Sequence, residues 1–87
     1  MSLCAYCDDR RAVNTDHLIT RNQARRRPSA QAARNRPEFK VRACFECNQA
    51  KGCLLLVPES HAHLIDELEG LTMGKYRTWD GSLKALR

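Results

Sequence analysis

The sequence predicts a small α+β domain whose core needs a staple. Three observations predict it. The chain has 87 residues, and a chain of that length buries only about 60–65 % of its unfolded surface, too little for an apolar core to hold alone. Four of its cysteines fall in two C-x-x-C pairs, "CAYC" at Cys4–Cys7 and "CFEC" at Cys44–Cys47. Strand-like and helix-like patterns are arranged around those pairs in the order knuckle, strand, long connection, strand, knuckle, helix.

Each element has a local reason. Residues 1–11 read as a knuckle and turn ending in the charged "DDRR". "AVNTDHLI", Ala12 to Ile19, is rich in residues that favour extended backbone. The connection from Thr20 to Pro37 is basic; within it "SAQAARNR" opens on an N-cap-type serine and predicts one or two helical turns between Pro28 and Pro37. "EFKVRAC" is a second short strand leading to the second knuckle, and "FECNQAKGCLLL" predicts a helix that Gly52 weakens. Pro58 breaks the chain. "ESHAHLIDELEG" then carries Leu64, Ile65, Leu68 and Leu71 at helical spacing, with Gly70 placed to end the helix. The tail repeats the pattern with Tyr76, Trp79, Leu83 and Leu86, and Asp80-Gly81 predicts a turn within it. Residues 1–57 are thus expected to form the stapled unit, and 58–87 a helical extension packed on it.

Two C-x-x-C knuckles can make the four-sulfur cage that zinc prefers, because a two-residue gap lets both thiolates of a knuckle face one ion. The fifth cysteine, Cys53, lies between Gly52 and three leucines and reads as a buried, inert thiol. An odd cysteine count argues against a full disulfide framework. The start "MSLCAYC" has neither a charged start nor an apolar run. The longest apolar stretch, Cys53 to Val57, is too short to span a bilayer. The expectation is a soluble protein of a reducing cytoplasm, without a membrane partner.

Charge points to the partner. The formal net charge is +5, with eight Lys/Arg and only Glu38 opposing them from Arg21 to Arg42. A basic middle of this kind suits a polyanion. Arginine matches phosphate bidentately, so Arg21, Arg25, Arg26, Arg27 and Arg42, with Lys51, are the expected nucleic-acid contacts. Contacts of this kind position a duplex without reading its bases and are sensitive to salt. No aromatic residue interleaves the arginines, so a stacking platform for single strands is not indicated.

The order "CAYC", then Asp16-His17, then "CFECNQAK" over Cys44–Lys51 resembles the zinc-containing branch of the HNH endonuclease family, across roughly residues 4–52. The resemblance implies a ββα-metal, treble-clef-like fold with extra C-terminal helices. It implies a structural Zn²⁺ on Cys4, Cys7, Cys44 and Cys47. It implies His17 as general base, and a catalytic Mg²⁺ or Mn²⁺ bound by Asp16 and Asn48. Lys51 would contact phosphate. The implied activity is metal-dependent nicking or cleavage of nucleic acid, with double-stranded DNA the expected substrate and a larger protein assembly as the working context. Phage or mobile-element settings fit the family, which would place the protein in a host cytoplasm.

The chemistry is coherent: an imidazole titrates near neutrality and can take a proton from water, while a divalent ion held by oxygens stabilises a departing oxygen. Neighbours on a regular strand point to opposite faces, so Asp16 and His17 share a site only at a strand end or bulge. Two features depart from the family. Phe39 stands where the family carries an asparagine, and Asn35 and Asn22 are the candidates to replace it. The connection is also longer and more arginine-rich than the family's usual turn.

Two other readings compete. One is a non-catalytic zinc module that binds nucleic acid through Arg21–Arg42. The other is a protein adaptor using a C-terminal stripe of Leu64, Leu68 and Trp79. His61 and His63, two apart, read as exposed or helix-end residues rather than ligands.

Overall fold

The computed structural model describes residues 2–82. Its first unit grows from the knuckles. Backbone bonds from Cys4 N to Arg10 O and from Asp8 N to Cys4 O close the first knuckle, and Leu3 bridges Arg11. The chain then enters β1 (Asn14–His17), which pairs antiparallel with β2 (Lys40–Ala43) in the register Asn14 to Ala43 and His17 to Lys40. β1 is shorter than the expected Ala12–Ile19 strand. The buried side chains of Leu18 and Ile19 instead carry the chain into the core before Thr20 starts a helix.

That helix, α1 (Arg21–Arg26), lies in the basic connection and was not anticipated. Its signal is nonetheless local: the Thr20 hydroxyl accepts from Gln23 N while the Gln23 amide oxygen accepts from Thr20 N, a reciprocal capping box. α2 (Pro28–Ala33) follows with proline at its first turn, and it buries Ala30 and Ala33. A single 3₁₀ turn, Pro37–Phe39, delivers Phe39 fully into the core.

The helix after the second knuckle, α3 (Phe45–Lys51), is capped by Cys44, whose sulfur accepts from Cys47 N. It stops at Gly52, where φ is +54°. The expected continuation through "CLLL" does not form. Cys53 is therefore exposed, not buried, because the left-handed turn at Gly52 swings it away from the helix before the chain re-enters the core at Leu56.

The second unit differs more from expectation. Leu56–Pro58 is a strand, β3, which pairs in parallel with β4 (Arg77–Trp79), so the tail is extended here rather than helical. Leu83 and Leu86 lie outside the described residues. Between the strands, the amphipathic segment divides into a 3₁₀ stretch, Glu59–Leu64, and α4 (Ile65–Thr72). α4 passes through Gly70 and ends one turn later, at Met73 with φ of +62°. Leu68, Tyr76 and Trp79 are buried and Leu64 packs partly against them, so this stripe belongs to the core.

The two units are tied together. The Tyr76 hydroxyl bonds Leu18 O at 2.7 Å, and Ser29 donates to Leu71 O at 2.9 Å. Gly81 (φ +83°) lies against the first knuckle so closely that a Cβ there would stand 2.5 Å from Cys7 N. Among the described residues no helix is long and apolar enough to cross a membrane.

Candidate functional site

The sulfur atoms of Cys4, Cys7, Cys44 and Cys47 all lie within 4.8 Å of one another, with Cys7 and Cys44 sulfurs 3.9 Å apart. Zn–S bonds of about 2.3 Å in a tetrahedron require sulfur–sulfur edges of about 3.8 Å. The four residues fit such an ion, and three of them are buried. Arg10 closes the cluster from outside. Its Nε donates to Cys44 Sγ at 3.3 Å and its terminal nitrogen to Cys47 Sγ at 3.4 Å, while Glu46 pairs with it at 3.1 Å. Burial opposes ionisation of Cys44, but Arg10 and the Cys47 N–H outweigh it and hold that thiol down at about 7. Arg10 was not foreseen; its signal was only its place just after the first knuckle.

On the other side of α3 lies a depression of about 380 Å³ that both Asp16 and His17 line. The strand-end requirement is met: His17 is the last residue of β1. Its walls include Arg21, Arg25 and Arg34 from the basic connection, and Lys51 and Cys53 from the end of α3. Asn48, half-buried one turn before Lys51, is not among the lining residues. Arg26, Arg27 and Arg42 are exposed and lie outside the depression; Arg42 donates to Thr15 at 3.1 Å. No protein-family model, curated protein or solved structure matches this chain. The functional reading therefore rests on the residues and their geometry.

Asp16 is held firmly. Its Oδ2 accepts from the Tyr6 hydroxyl at 2.5 Å and from the Lys51 ammonium at 2.8 Å. Lys51 is only 2 % exposed, so the pair is shielded from water. Burial, then the Asp16 charge, push the Tyr6 phenol far above its usual range, so it remains a donor. The Asp16 carboxylate is thus paired with an ammonium, and Asn48 is not among the residues that line the depression. Among the described residues the four cysteines are the one group of three or more His, Cys, Asp or Glu side chains placed to share a metal ion.

His17 is half-buried. Burial first, then the Arg34 guanidinium, lower its pKa from the ordinary 6.5, and Lys40 adds to this. The Asn35 side chain beside the ring, and the Asp16 charge, pull the other way. Arg34 is itself fixed, its Nε donating to Ile19 O at 3.1 Å. Phe39, at the family's asparagine position, is wholly buried and plays no part in the depression.

Proposed function

We propose that this chain is an HNH-type hydrolase of nucleic-acid phosphodiester bonds, held together by a zinc ion on its four clustered cysteines. One observation carries the reading: His17, biased towards its neutral form and with Asn35 beside it, lines the same depression as Arg21, Arg25 and Arg34. A neutral imidazole is what a general base needs, and a cationic cleft is what a phosphodiester seeks.

In this reading a backbone phosphate enters the depression and Arg21, Arg25 and Arg34 neutralise it, while Lys51 stays paired with Asp16. A water molecule attacks phosphorus; its oxygen forms the new P–O bond as its proton passes to a ring nitrogen of His17. The bond to the leaving nucleoside oxygen breaks, and that oxygen takes a proton from solvent. The zinc ion supports the fold and takes no part in this sequence. A divalent ion, which the family would place on Asp16 and Asn48, would add charge stabilisation at the leaving oxygen; the steps above are those of this chain's own residues.

The experiment is nicking of supercoiled plasmid by wild-type protein and His17→Ala, with Mg²⁺, with Mn²⁺ and with a weak chelator that spares the zinc. Nicking by wild type and its loss in His17→Ala supports the reading; equal nicking by both ends it. Nicking that requires Mg²⁺ would mean that Asp16 and substrate phosphate complete the ion's shell only together. The buried Asp16–Lys51 pair favours a second reading, a zinc module that binds nucleic acid without cutting it. Salt-sensitive DNA binding with no nicking under any ion is its signature.

A further inference from the structure

A second depression, of about 330 Å³, lies between α1 and α2. Arg21, Ala24, Arg25, Gln31, Arg34 and Asn35 line it. Three arginines and no carboxylate face this space. Among the described residues none of the three is in a salt bridge, whereas Arg10 and Arg36 elsewhere are paired with Glu46 and with Glu38 and Glu67. An unpaired guanidinium cluster of this density is a site for an anion rather than a solvated face.

Its position defines the anion. Arg21, Arg25 and Arg34 line this depression and the His17 depression alike. Two anions seated in the two would share three guanidinium walls and be immediate neighbours. Asn35 lines the second depression as well. Free anions have no reason to occupy adjoining sites, but successive phosphates of one strand are covalently obliged to.

We infer that the α1–α2 depression is a second phosphate site, which takes the backbone phosphate next to the one at His17. The identity of the first site rests on the nuclease reading; the pairing of two phosphate sites does not. The site makes the minimal ligand a strand segment with two consecutive phosphodiesters. It also divides the arginines by role: Arg21, Arg25 and Arg34 grip particular phosphates, while Arg26 and Arg27, outside both depressions, attract the polyanion at longer range.

The test uses the full chain with zinc bound and the His17→Ala substitution, so that probes are not consumed. Labelled oligothymidylates with one, two, three and four internucleotide phosphates are titrated at fixed salt. Affinity is expected to rise about tenfold or more from one phosphate to two, as a charge-assisted contact implies, and less at each later addition. Gln31→Glu and Ala24→Glu each place a carboxylate among residues that line only the second depression. Each should remove the step while weakening one-phosphate binding by a smaller factor, since the shared arginines feel the new carboxylate in both depressions. Arg26→Ala should weaken every probe by a similar factor. A ladder with no step at two phosphates, or a step that survives both carboxylate variants, overturns the inference. A step sensitive to the variants in a protein that nicks no plasmid leaves this site standing and ends the nuclease reading.

Discussion

The Lys51 ammonium and the Asp16 carboxylate form an ion pair 2.8 Å apart beneath the floor of the depression, where Lys51 is 2 % and Asp16 7 % exposed. A buried pair is worth little against an apolar substitute, but breaking one is costly, because the survivor is left charged and desolvated. Lys51→Met is therefore expected to destabilise the fold by about 3–5 kcal/mol. The double variant Lys51→Met/Asp16→Asn should recover part of that loss. Urea unfolding of the zinc-bound proteins, with Asp16→Asn alone completing the cycle, measures this; a double-variant loss equal to the sum of the two single losses would show that the pair is not coupled.

Zinc removal should unfold the chain. Structural zinc contributes about 10–16 kcal/mol in small zinc domains, more than a core of this size supplies. Stripping the protein with a strong chelator, or replacing Cys47 with serine, is expected to abolish its cooperative thermal transition by circular dichroism. Metal analysis should find one zinc per chain in the wild type. Arg10→Met should leave the fold in place but speed chelator-driven zinc loss, since it removes two N–H donors from the sulfurs.

How far the sequence carried depended on the range of the signal. The sulfur cluster was legible because each C-x-x-C pair is a local geometry and only one ion-sized space satisfies both. The β1–β2 pairing was legible in outline for the same reason: the knuckles fix its ends. α1 was written in Thr20 and Gln23 but hidden among arginines. The run after Gly52 misled, because leucine favours helix while a left-handed glycine ends one. The β3–β4 pairing is parallel, three residues long and closed across some twenty residues, so no periodicity announces it. In the site, Asp16, His17 and Lys51 were legible from their motif. Asn35 was legible only as one of two candidates for the family's missing asparagine, and Arg34 not at all, because their meeting with His17 depends on how α1 and α2 fold the connection back.

Phe39 tests that last point. Restoring the family's residue with Phe39→Asn should not improve any activity. Phe39 is completely buried, so the change removes a large apolar side chain and buries an amide, at a cost of about 3–5 kcal/mol. Thermal denaturation and the nicking assay would show both effects. A stable, more active Phe39→Asn protein would mean that Asn35 does not brace His17.

The acid side of the pH profile isolates that brace. Burial and Arg34 depress the His17 pKa below 6.5, so the base stays neutral to lower pH than an ordinary histidine. Activity should therefore fall only below 6.5. Arg34→Gln removes a cation that disfavours imidazolium and should move this acid limb to higher pH. Asn35→Ala removes a side chain that favours imidazolium and should move it lower, while also lowering the plateau rate because the ring is no longer held. Stability follows the same sign. As pH falls through 6.5 the unfolded chain takes up the His17 proton before the folded one does, so folding weakens until the folded pKa is reached. His17→Ala should flatten that part of the stability profile. NMR titration of the imidazole in the three proteins reads the order directly, and a limb that does not respond to either variant would place the titrating base elsewhere.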